Sequence, residues 1–187
     1  MGVGRQAWQK GRRRPGGDDP AAAVAQEVLN GVPLVPPWTV DEFSAWISER
    51  YDRSVDLQPW GDDDPGVEEH GRCGLLIVTA DRFLISFDGA RSPRHQRQQI
   101  FHEFGHILCG HIDDHGVYVG ALPTTSSLTD GIDPAMVQHV LHRGVFDTEE
   151  ERAAELLGTH LAVLSRQERG TGRFDRIASA FFEPVKK

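Results

Sequence analysis

The stretch Gln99-Ile100-Phe101-His102-Glu103-Phe104-Gly105-His106-Ile107-Leu108-Cys109-Gly110-His111 decides how the rest of the chain is read. Ile100, Phe101, Phe104, Ile107 and Leu108 recur at helical spacing, which predicts a half-buried helix. Within it lies H-E-x-x-H. Residues i and i+4 stand about 40° apart around a helix axis. His102 and His106 can therefore turn two imidazoles to one point, with Glu103 beside them. Two neutral nitrogens at that spacing suit a zinc ion, and a third protein ligand would leave a fourth position for water. Such a water becomes acidic near neutrality, and Glu103 is placed to take its proton and pass it to a leaving amine. The competing reading is a core helix with two ordinary histidines. In a chain with nine histidines the bare pattern can arise by composition, so the apolar periodicity around it carries the argument.

The chain has 187 residues, which fits one domain with tails. A hydrophobic content of 39% and four tryptophans allow a real core. No apolar run reaches the roughly eighteen residues of a membrane span. Arg5, Lys10, Arg12, Arg13 and Arg14 make the start basic, but no apolar run follows as in a secretory signal. Met1-Gly2 opens like a myristoylation site, yet Gln6 stands where Ser or Thr is needed. Cys73 and Cys109 make no disulfide framework and suit a reducing cytoplasm. A net charge of −8 argues against a whole-surface nucleic-acid binder. The basic arm reads as a solvated tail, touching nucleic acid at most indirectly.

Residues 1–37 are expected to be a flexible tail holding one short helix. Asp19-Pro20 supplies its N-cap and first helical position, and Gly31 its end. The folded domain, 38–187, is expected to begin near Trp38. Thr39-x-x-Glu42 is a capping box that opens a helix over 39–51 with Phe43, Trp46 and Ile47 inward. Strands are predicted at 54–60, 74–80 and 82–87, the last two as a hairpin with Phe83, Ile85 and Phe87 on one face. The acidic run between them lacks the oxygen spacing of a calcium loop. The motif helix is expected over about 93–111, then a loop over 112–131. Asp133-Pro134 reads as the start of a helix ending at Gly144 and carrying His139 and His142. A long helix is predicted over 148–167, with Ala153, Leu156, Leu157, His160, Leu161 and Leu164 inward, and a short one over 175–182.

A third ligand is not given by H-E-x-x-H itself. Metzincins place a third histidine six residues after the second, where this chain has Ile112. His111 is one residue out of register, and a continuing helix would turn it about 140° away from His106. The long helix instead offers Glu149, Glu150, Glu151 and Glu155, with Ala154 and Gly158 small enough for close packing. Acidic residues also suit a first helical turn, and Thr148-x-x-Glu151 matches a capping box. Glu151 and Glu155 share one face, and spacing alone leaves both open. Cys109 reads as a small packed residue. His111, His115, Tyr118 and His160 are the available candidates for an oxyanion donor.

Arg94-His95-Gln96-Arg97-Gln98-Gln99-Ile100-Phe101-His102-Glu103-Phe104-Gly105-His106, with a hairpin before it and Glu151-Arg152-Ala153-Ala154-Glu155-Leu156-Leu157-Gly158 after it, resembles the ImmA/IrrE family of metallopeptidases. The likeness covers about residues 40–165. In that family the downstream helix reads E-x-E-A-N-x-F-A. Its first Glu, the third ligand, maps to Glu151, with Glu155 the alternative. This chain departs from the pattern in having Ala153 for the second Glu, Glu155 for Asn and Gly158 for Ala. The resemblance implies an α+β fold: a small antiparallel sheet packed against a helical bundle, as a zincin-like metallopeptidase minidomain. It implies a zinc endopeptidase with His102, His106 and Glu151 as ligands and Glu103 as catalytic base. The implied substrate is a helix-turn-helix transcriptional repressor supplied by a separate protein, since too little sequence precedes residue 39 for such a domain. The alternative is a zinc-stabilised anti-repressor that works by binding alone.

Overall fold

The computed structural model describes residues 19–60, 74–114, 136–141 and 148–165. In chain order these form α1 (Pro20–Asn30), α2 (Val40–Tyr51), β1 (Ser54–Trp60), β2 (Leu75–Thr79), β3 (Arg82–Asp88), α3 (Pro93–Cys109), the single turn α4 (His111–Asp114), β4 (Val137–Leu141) and α5 (Thr148–Leu164). The fold is α+β, with one four-stranded sheet in the order β1-β3-β2-β4.

Local chemistry sets the helix ends. The Glu42 N–H donates to Thr39 Oγ1 at 3.1 Å and the Thr39 N–H to Glu42 Oε2 at 2.8 Å, so the predicted capping box is formed. Asp52, at φ 54°, closes α2 in the left-handed region. Ser92 caps α3, with Pro93 in its first turn. Gly110 ends α3 at φ 79°, a conformation glycine adopts without a Cβ penalty.

The sheet is mixed rather than wholly antiparallel. β2 runs antiparallel to β3 and to β4, whereas β1 runs parallel to β3, from Ser54 opposite Arg82 to Trp60 opposite Asp88. Both faces are apolar. Leu76, Val78, Phe83 and Ile85 face α3 and join Ile100, Phe101, Phe104 and Ile107 in one core. Leu75, Ile77 and Leu84 join Trp60, Val137 and Val140 in a second cluster on the other side. Phe43 centres the first core, its ring 5.2 Å from Phe101 and 5.3 Å from Phe104.

Other sequence expectations change as well. The helix expected from Asp133 to Gly144 is a strand where it is described, and His139 lies on that strand. Val137 and Val140, three apart, mimic a helical repeat. Their shared face instead follows from the register shift at Val78/Thr79, since a bulge breaks a strand's period of two. The short helix inside residues 1–37 is present, but it belongs to the fold: Ala25 and Leu29 lie in the same core as Trp38 and Phe43. The motif helix stops at Cys109, and the long helix at Leu164. His142, most of the expected loop 112–131 and the expected helix 175–182 lie outside the described residues.

The connection into α3 is fixed by polar contacts, one of them buried. Gln99 Oε1 accepts from the Asp88 N–H at 2.9 Å, joining the end of β3 to the middle of α3. Asp88 accepts from the Ala90 N–H and from Arg91 Nε, both at 3.0 Å. α5 lies across the other side of α3. A Cβ at Gly158 would stand 2.7 Å from His102 Cα and 2.8 Å from Phe101 O; one at Gly105 would stand 2.6 Å from Ala154 O. Two glycines thus let the backbones meet where the motif histidines sit.

Gly158→Ala tests this contact. Alanine gains about 1 kcal/mol in helix propensity. The obstructing atoms are backbone and cannot swing aside, and overpacking costs typically about 1–3 kcal/mol. The variant is expected to unfold at lower denaturant. An equal or higher midpoint would show that the helices can part freely.

Candidate metal centre

His102 and His106 leave α3 on the side that meets α5. Their Nε2 atoms are 3.2 Å apart. Glu151, one turn into α5, brings Oε2 to 3.8 Å from His102 Nε2 and Oε1 to 3.8 Å from His106 Nε2. The three residues offer ligand atoms that all lie within 4.8 Å of one another, the one such group among the described residues. The structure therefore brings together a possible metal site from the histidines named in the motif and Glu151. Glu155 is elsewhere: its Oε2 lies 3.2 Å from His102 Nδ1, on the other nitrogen of the same ring. The two acids left open by spacing thus flank one imidazole, Glu151 at the convergence point and Glu155 away from it.

Glu103 points into the protein. It is buried, and a Cβ at Gly74 would collide with its carboxylate. Glycine at the head of β2 leaves room for this acid where it lies; a Cβ there would displace the end of the Glu103 side chain. Burial pushes the Glu103 carboxyl up to about 7; His102 opposes this and Glu151 adds to it. A carboxyl with such a pKa can gain or lose a proton near neutrality. Burial alone would lower the His102 pKa, but contact with Glu155 and the charges of Glu103, Glu151 and Glu155 outweigh it, and the net shift is upward.

His111 is where extension of the motif helix misleads. Because α3 ends at Gly110 in a left-handed turn, the chain folds back instead of continuing. His111 Nδ1 meets His106 Nδ1 at 3.0 Å, with both rings buried. The glycine before it was the available signal. This contact lies behind the His106 ring, not at the convergence point, so it does not place His111 as an oxyanion donor. Tyr51 Oη donates to Ile107 O at 3.2 Å and holds the same final turn. Gly74 was also missed, since nothing in a strand's leading glycine names the helix it will touch. Cys109 is half-buried and burial pushes its thiol up to about 12, which fits a packed, unreactive residue. His160 lies on α5 with its pKa lowered by burial. His115 and Tyr118 lie outside the described residues.

The burial of Glu103 makes the metal-free protein sensitive to pH. Its folded pKa lies above the ordinary 4.5, so between 4.5 and about 7 the folded chain holds a proton that the unfolded chain has released. Stability from this group falls as pH rises through that window. Gln cannot ionise, so Glu103→Gln is expected to gain stability over wild type as pH increases, levelling off above about 7. Urea unfolding of both metal-free proteins across the window measures it, and parallel curves would refute it.

Comparison of the chain with known protein families, with curated proteins and with solved structures finds no match.

Proposed function

We propose that the protein is a zinc-dependent endopeptidase of the ImmA/IrrE type, acting in the cytoplasm on a helix-turn-helix transcriptional repressor. The observation that carries this reading is the convergence of His102 Nε2, His106 Nε2 and the Glu151 carboxylate beside a buried Glu103. Two imidazoles and a carboxylate match the two-His, one-Glu donor set of catalytic zinc sites, which keep one position open. Tetrahedral zinc ligands at about 2.0–2.2 Å stand about 3.3–3.6 Å from each other. The separations of 3.2, 3.8 and 3.8 Å need only small adjustments to meet this. Harder cations such as magnesium favour all-oxygen sets.

The chain's residues divide the work. His102, His106 and Glu151 hold the ion. Bound there, zinc supplies a Lewis acid for amide hydrolysis. Glu103 accepts a proton from the attacking water and returns it to the departing amine. Glu155, 3.2 Å from His102 Nδ1, orients that ring with Nε2 toward the ion. The repressor substrate rests on the likeness of residues 40–165 to the ImmA/IrrE pattern, and the cytoplasmic setting on the sparse cysteines.

Purified wild type is expected to hold about one zinc per chain, and His102→Ala and Glu151→Ala to lose it. A folded wild type that takes up no zinc would remove the centre. Glu103→Gln is expected to keep zinc while cleavage falls by about 10²–10⁴-fold. The assay maps new N-termini by mass spectrometry after incubation with a panel of helix-turn-helix repressors. Equal cleavage by Glu103→Gln would strip Glu103 of its role. A repressor bound but cut by neither protein would favour the anti-repressor reading.

A further inference from the structure

The two histidines of the centre are braced differently from behind. His102 has a carboxylate at Nδ1, that of Glu155, whose side chain is 58% exposed. His106 has a second imidazole at Nδ1, that of His111, and both rings are buried. A neutral imidazole carries one proton, on either nitrogen, and the nitrogen without it is the metal ligand. His106 turns Nε2 toward His102 Nε2 and Glu151, so ligation there requires the proton on Nδ1. A buried N–H without an acceptor costs about 1–3 kcal/mol. His111 Nδ1 lies within reach as an acceptor, at 3.0 Å.

We propose that His111 is a positioning residue for the metal centre: it accepts a hydrogen bond from His106 Nδ1–H, and so holds the His106 Nε2 lone pair at the point shared with His102 and Glu151. The inference rests on the reading of that cluster as a metal site. It assigns His111 a neutral form with its own proton on Nε2. The fold supplies the geometry through the reversal at Gly110, whose N–H bonds back to the His106 and Ile107 carbonyls. That cap stacks residue 111 against the last turn of α3 instead of a turn further on. Tyr51, bonded to the Ile107 carbonyl, fixes the same turn from α2.

Two replacements separate positioning from simple packing. Asn places Oδ1 about where His places Nδ1, so His111→Asn keeps an acceptor for His106. Leu has nearly the outline of Asn and offers none, so His111→Leu removes only the acceptor. Zinc affinity, measured by competition with a chelating indicator, is expected to fall about 10–100-fold in His111→Leu and to return to within a few-fold of wild type in His111→Asn. Equal affinities in the two variants, whether both high or both low, would overturn the assignment. The tautomer is read directly on metal-free wild type by ¹⁵N correlation spectra of the imidazoles, which needs no variant to fold. Protonated Nδ1 and bare Nε2 on His106 are expected, and the reverse tautomer would overturn the proposal. A wild type that binds no zinc but shows the expected His106 tautomer would refute the metal site and leave the hydrogen bond as a structural one. Zinc binding with no loss in His111→Leu would leave the metal site standing and refute the role of His111.

Discussion

The close contact of α3 with α5 is the constraint on which the rest depends. H-E-x-x-H places two imidazoles on one side of one helix, but a metal site would need a third ligand from elsewhere, arriving within a few ångströms. A carboxylate on a short side chain can do this only if its backbone is near. Gly158 lies against His102 and Gly105 against Ala154, with no room for a Cβ at either. Glu151 stands two turns before Gly158 on the same face, and the crossing delivers it to both Nε2 atoms. The helix propensity given up at two glycines, about 1 kcal/mol each, is small beside the burial of Leu157, Leu161 and Ala162 that the close approach permits.

The sheet acts on the opposite side of α3. β3 delivers the chain through a turn tied at Asp88 and Gln99, so α3 cannot rotate on its axis without breaking the buried Asp88–Gln99 hydrogen bond. That rotation would decide whether Glu103 faces the sheet or solvent. As built, Glu103 is pressed against the head of β2 at Gly74, while the histidines one residue before and three after it face α5. The angular step of about 100° per residue is what lets adjacent residues in one motif serve two different surroundings.

Much of this was legible in the sequence because it is local. The capping box at Thr39, the Asp19-Pro20 start, the three strands at 54–60, 75–79 and 82–88 and the two long helices all follow from period and end signals. The pairing of His102 with His106 is equally local. The misreadings have separate causes. Asp133-Pro134 and Gly144 read as the two ends of a helix, but end signals do not say what lies between them, and Val137–Leu141 pairs with β2 as a strand. His111 looked misdirected because its angle was taken on a helix that in fact ends at Gly110. The choice between Glu151 and Glu155 is different in kind. Both lie on one face of α5, so no pattern within the helix ranks them; only the level of the crossing, a long-range contact, sets one at Nε2 and the other at Nδ1.

The electrostatics give a reason to see this cluster as more than packing. Glu103, Glu151 and Glu155 surround His102, and two of these acids lie largely out of water. Buried like charges are costly unless a counter-charge or a proton relieves them. In the chain by itself the relief is taken in protons: the Glu103 carboxyl is pushed up, and His102 is drawn up by its acidic neighbours. A core chosen for stability alone would replace such a group with apolar side chains of similar volume, which is often neutral or better. Phe101, Phe104 and Leu157, packed beside the cluster, show that apolar residues fit at this crossing. The acids instead converge on the imidazoles, and a divalent cation bound there would supply positive charge to the site. The same burial that makes the acids expensive would strengthen their hold on such an ion, because opposite charges attract more strongly where water is scarce.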